Sequence, residues 1–226
     1  LGSIRLLKPQ RPKWVDPSNW RPYKHSLLID ELQRRVTTKN WAPTLPQCYA
    51  SGRSSTYMVA SLDMFLPGID FDDLGAVLSV GVYNSNAWDS PVIMYSGLRF
   101  LKENVGVPFQ QNTLGRHDKS LEKNLGVNID CVLLEIPNKV KNWEENIKKL
   151  QRKTLSQNQM ENLTLEAARN EMLPYSHTKV MFEGITQERN SAFDLLLMFG
   201  QASNKQTPIN QMRCVHWFYK RLLDKR

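Results

Sequence analysis

Between residues 116 and 139, in RHDKSLEKNLGVNIDCVLLEIPNK, His117, Asp118, Asp130, Glu135 and Lys139 are of the types that carry metal-dependent phosphodiester hydrolysis. Carboxylates at strand ends hold Mg2+ or Mn2+, and a nearby lysine positions the attacking water or stabilises developing charge. The types suit that chemistry, but the spacing does not. A nuclease core of the PD-(D/E)xK kind separates its acid and lysine by one residue. Here Ile136, Pro137 and Asn138 intervene, and Pro137 closes the strand expected to carry the acid. A nuclease using Asp118, Asp130, Glu135 and Lys139 is therefore an alternative and not the first reading.

Other catalytic patterns are weaker. Cys48 has no histidine near it in sequence beyond the distant His25, His177 and His216, so a thiol dyad is set aside. Cys214 and His216 have no further His or Cys at ligand spacing, so the sequence indicates neither a metal site nor a cofactor. No phosphate-binding glycine loop and no nucleophile motif is present. The chain reads as a binding protein more than as an enzyme.

What it would bind follows from charge. The 226 residues carry 30 Lys+Arg against 22 Asp+Glu, a formal net charge of +8, which favours nucleic acid or an anionic surface. The cations gather in three places. At the amino terminus Arg11, Lys13 and Arg21 alternate with prolines and with Trp14, Trp20 and Tyr23. Proline fixes φ and removes a donor, so residues 4–25 are expected to form an extended arm. Its aromatic residues can stack on bases or exchange between subunits.

The second place is a helix around residues 139–153, with Val140, Trp143, Ile147 and Leu150 on its apolar face and Lys141, Lys148, Lys149, Arg152 and Lys153 opposite. Cations near a helix C-terminus also complement its dipole, so part of this cluster has an ordinary structural explanation. The third place is a carboxy-terminal helix starting at Thr207-Pro208 and bearing Lys220 and Arg221. Arg34 and Arg35, on an early helix, add to the total.

The elements expected to position these residues are mainly helices. They run from about Ser26, through Met58 to Leu66, from Asp70 with Phe71, Leu74, Leu78 and Val82 inward, from Ser90-Pro91 to Gly106, from Ser156, and through the apolar run AFDLLLMFG. A minor β element is expected around 127–136 and 180–185. The expected fold is thus mainly α, a multi-helix and two-lobed body. Residues 26–108 would form an amino-terminal helical lobe and 117–226 a basic carboxy-terminal lobe, after the arm and a tag remnant at 1–3.

A helical, basic, two-lobed body with an arm resembles, in general design, viral nucleoproteins and helical capsid subunits. That resemblance implies sequence-tolerant binding of nucleic acid, foremost single-stranded RNA, by a homo-oligomer linked through its arm. A matrix-like scaffold meeting acidic protein or anionic membrane is a further alternative, with the membrane not favoured. No apolar run is long enough to span a bilayer. Three widely spaced cysteines suit free thiols in a reducing intracellular compartment, cytoplasmic or nuclear, and Cys131, in an apolar run, is expected in the core.

Overall fold

The computed structural model of the chain describes residues 23–44, 47–51, 57–66, 69–86, 91–185, 190–203 and 208–224. The expected mainly α body with a minor β element does not form. Among the described residues, six strands instead build one antiparallel sheet, accompanied by six α-helices. In chain order these are α1 (His25–Thr38), β1 (Ala42–Pro43), β2 (Gln47–Ser51), β3 (Tyr57–Phe65), β4 (Ala76–Ser85), β5 (Val92–Phe100), β6 (Val105–Gly115), α2 (Lys119–Arg152), α3 (Gln157–Arg169), α4 (Tyr175–Gly184), α5 (Ala192–Ser203) and α6 (Pro208–Asp224).

The strand order is β1-β3-β4-β5-β6, with β2 also paired to β3. Ala42 pairs Phe65 and Gln47 pairs Ser61, so β1 and β2 follow one another along the same edge of β3. On the other side of β3, Met58 pairs Asn84 and Met64 pairs Leu78. Pro43 and Pro108 lie in the two outermost strands, where a missing N–H interrupts no central ladder.

The three segments read as helices from 58 to 105 are β3, β4 and β5. Nine of the ten residues of β4 are buried, so its two faces are both covered and the alternation that marks a strand is absent. Phe71, Leu74, Leu78 and Val82 recur at helical spacing by coincidence, while Val77, Val80 and Val82 supply the β-branched bias that favours extended backbone. Gly75, at φ 60, closes the 3-10 turn Asp72–Leu74 by donating to the Asp72 carbonyl and releases the chain into β4.

The two segments read as strands are helical. Residues 127–136 lie inside α2, whose inward positions Leu121, Leu125, Ile129, Val132, Leu133, Ile136 and Val140 are all buried at helical spacing. Pro137 sits within this helix and does not end it. Its missing N–H and its ring cost on the order of 3 kcal/mol, which burial of Ile136 and Val140 on either side offsets. Residues 180–184 belong to α4, where Thr178 and Met181 turn inward and Val180 and Phe182 outward. A six-stranded sheet in place of the expected helices removes the ground for the likeness to helical nucleoproteins.

Two compact units result. The first holds residues up to Leu98 and Gln110–Pro137, the second Arg99–Phe109 and Asn138 onward. In the first, Leu28, Ile29, Leu32 and Val36 of α1 are buried, and α1 meets α2 so closely that a Cβ on Gly126 would strike Arg35 and Glu31. In the second, Phe199 stacks on Phe218 at 4.1 Å, Phe109 lies 5.4 Å from Trp143, and Phe100 meets Phe193 edge-on. Helices α3 and α5 start on capping boxes, Ser156 with Gln159 and Ser191 with Asp194, which accounts for the one charged residue in the apolar α5 run.

Candidate nucleic-acid interface and a buried polar cluster

In the second unit, α2 continues as an amphipathic helix because Val140, Trp143, Ile147 and Leu150 are buried on one side. On the other, Lys141, Lys148, Lys149 and Arg152 are exposed and form no ion pair among the described residues. From Lys141 to Arg152 the row extends about 16 Å along the axis. Glu145, also exposed, lies in its middle. Lys149 and Arg152 fall in the last turn, where the helix dipole favours them as well.

The layer beneath is polar and aromatic in a fixed arrangement. Asn146 donates to the Tyr219 hydroxyl at 3.0 Å, and burial pushes that phenol up to about 12. His216 Nδ1 lies 2.6 Å from the Pro108 carbonyl, an acceptor only, so the ring must carry its proton there. Burial lowers the His216 pKa.

Four of the other cations expected at phosphate are engaged within the chain. Arg34 chelates Glu31 at 2.7 and 2.8 Å, and Arg35 bonds both Glu31 and Asp130. Lys153 donates to the Leu222 carbonyl at 2.7 Å, and Arg221 to Glu166 at 2.5 Å. Lys220 is exposed. Arg11, Lys13, Trp14, Trp20 and Arg21 lie outside the described residues. Tyr23 is half-buried, its phenol raised by desolvation, and its carbonyl is held by two asparagines.

The set proposed for a nuclease does not come together at a strand end. Asp118 caps α2, its Oδ1 accepting from Ser120 N at 2.8 Å, Ser120 Oγ at 2.5 Å and Leu121 N at 3.2 Å, and the Ser120 hydroxyl bond leads the causes that lower its pKa. Asp130 pairs with Arg35, with Lys39 at 3.8 Å. Glu135 accepts from Gln110 at 3.2 Å, and Lys139 is half-exposed on the same helix. No group of three metal-ligating side chains occurs among the described residues. Burial raises the Cys48 and Cys214 thiols, the opposite of nucleophile activation. Cys131, expected in the core, is exposed.

A cluster that carries no sequence motif lies at the end of β4. Asn84 Nδ2 donates to the Tyr23 carbonyl at 2.9 Å and lies 2.9 Å from His25 Nδ1; Asn86 Nδ2 reaches the same carbonyl at 3.3 Å. All three side chains are buried. The Tyr23 carbonyl fixes both amide orientations, since a flip would set oxygen against oxygen. The Oδ1 atoms of Asn84 and Asn86 and the Ser96 hydroxyl then have no hydrogen-bond partner among the described residues. A polar triplet, Asn84-Ser85-Asn86, directly after an apolar run was the one sequence signal for this cluster.

No helix among the described residues is long and apolar enough to cross a membrane. Against known protein families, curated proteins and solved structures, the chain matches none.

Proposed function

We propose that the chain binds single-stranded nucleic acid without reading its sequence, through the exposed row Lys141, Lys148, Lys149 and Arg152 on α2. The carrying observation is that these four cations face solvent with no ion pair among the described residues, while Arg34, Arg35, Lys153 and Arg221 are held by internal partners. An unneutralised row on a rigid helix meets phosphates and releases counterions; it offers no fork aimed at base edges. Arg11, Lys13 and Arg21 are further phosphate contacts in this reading. Trp14 and Trp20 stack on bases or link subunits. The free thiols fit a reducing compartment, cytoplasmic or nuclear.

The test is fluorescence anisotropy of a labelled mixed-sequence RNA, with the same DNA alongside, across a salt series. Each phosphate neutralised contributes about −0.7 to the slope of log affinity on log salt. Reversing Lys148, Lys149 and Arg152 to Glu is expected to flatten that slope by about 2 and weaken binding at least tenfold while the thermal midpoint holds. Unchanged affinity in the folded triple variant removes α2 from the interface, and absence of binding at low salt ends the proposal.

A further inference from the structure

A cavity of about 240 Å³ opens between α4 and α5, lined by His177, Met181 and Gly184 of the first helix and by Met198 and Gln201 of the second. Its walls hold no Lys, Arg, Asp or Glu. Met181 and Met198 are buried, and the Nδ1 of His177 is buried without a hydrogen-bond partner among the described residues. A nitrogen that has left water normally finds a donor or an acceptor. The Gln201 amide, exposed on the same cavity, makes no bond to it, and a thioether donates nothing and accepts weakly.

A glycine places the sulfurs. A Cβ on Gly184 would lie 2.7 Å from Met198 Cε and 3.8 Å from its Sδ, so the thioether of α5 rests against α4 one turn beyond Met181. His177 stands one turn before Met181 on the same helix. Side chains three and four residues apart have Cβ atoms about 5–6 Å from one another, and His and Met carry their donor atoms a few ångströms further out. An ion with metal–sulfur bonds of about 2.3 Å needs its two sulfurs about 4 Å apart. Rotation of two unbranched thioether side chains covers that difference, so His177, Met181 and Met198 can reach one point in the cavity.

We propose that this cavity binds Cu(I), with the sulfurs of Met181 and Met198 and one imidazole nitrogen of His177 as ligands. Imidazoles, thiols and carboxylates alone gather no metal-ligating trio among the described residues; thioethers complete one here. The donor set decides the metal. Thioethers are soft ligands that select Cu(I), whereas Cu(II) and Ni(II) take planar sets of nitrogen and oxygen. Zn2+ takes thiolate, imidazole and carboxylate, of which the cavity offers a single imidazole. Charge agrees with softness. All three ligands are neutral and no carboxylate lines the wall, so a monovalent ion is left with less uncompensated charge than a divalent one. The ion also gives the cavity a partner for the nitrogen that lacks one. This site is separate from the cationic row and does not depend on nucleic-acid binding.

The chain's three thiols also bind Cu(I), so the test removes them first. Anaerobic titration of Cu(I) against the chromophoric chelator bicinchoninate, in a Cys48→Ser/Cys131→Ser/Cys214→Ala variant, is expected to show one ion per chain. In that background Met181→Leu, Met198→Leu and His177→Ala should each lower the affinity by at least about tenfold. The leucine variants conserve volume, so their thermal midpoints should hold. The intact chain gives a second reading that does not need the cysteines replaced. With methionine methyl groups labelled by 13C, Ag+ as a redox-inert stand-in for Cu(I) is expected to shift the Met181 and Met198 signals, and no other of the eight methionines, once the three thiols are filled. No uptake by the folded cysteine-free variant overturns the proposal. So does uptake that both leucine variants leave unchanged, or a silver titration of the intact chain in which neither methyl moves.

Discussion

Arg35 and Asp130 form an ion pair between α1 and the first half of α2, and Glu31 and Lys39 extend it into a network. By residue type the two belong to different chemistries, a phosphate contact and a metal ligand. The fold uses both to join two helices.

Arg35→Met is accordingly expected to lower stability by about 1 kcal/mol, since the pair is three-quarters shielded from solvent but not deeply buried. RNA affinity should stay as it is. Urea unfolding and anisotropy on the same preparation separate the two, and a folded variant with weakened RNA binding would bring α1 into the interface.

Glu145 sits within the cationic row and opposes it. Its replacement by Gln is expected to tighten RNA binding about threefold at low ionic strength, the scale of one charge acting across several ångströms of water. Near 1 M salt, where the Debye length is about 3 Å, the gain should vanish. An unchanged affinity at low salt would mean the nucleic acid follows another path.

Asn84→Ala removes one donor to the Tyr23 carbonyl and the neighbour of His25, and is expected to cost about 1–3 kcal/mol. Asn84→Asp should cost more, because it sets a carboxylate against that carbonyl at the same size. Equal stability of the two variants by urea unfolding would show that the amide proton is not what holds Tyr23.

His216 and Tyr219 predict opposite pH limits. The folded His216 pKa is depressed, so an unfolded chain takes up its proton first and the stabilising contribution is lost as pH falls from about 6.5. The Tyr219 pKa is raised to about 12 from 10.0, so its contribution holds below pH 10 and is lost between 10 and 12. Tyr219→Phe should flatten the alkaline limb of a stability profile by ~2–3 kcal/mol, and His216→Asn the acid limb. Limbs that do not respond would place the titrating groups elsewhere.

Elements with one buried and one exposed side were legible in sequence: α1, α3, α6 and the second half of α2 all show it. The apolar α5 could be read from composition alone, since nine of its twelve residues are buried. The sheet was not legible, because β4 is covered on both faces and a period of two cannot show where both phases are apolar. The alternation Val127, Ile129, Cys131 misled for a related reason. Ile129 serves the core, while Val127 and Cys131 belong to a second, solvent-facing apolar stripe, so two helical patterns overlapped into a false strand. Among the cations, type and position were plain, but only pairing distances distinguish Lys148 from Lys153. Asn84 and Asn86 gave little signal, as amides carry no spacing rule.

The prolines at the rims of the sheet bear on how the protein behaves when crowded. Pro43 in β1 and Pro108 in β6 deny an incoming strand one ladder donor at each end of the sheet. Growth by stacking edge onto edge, the first step toward cross-β fibrils, is thereby discouraged in a chain whose β4 and β5 are almost wholly buried.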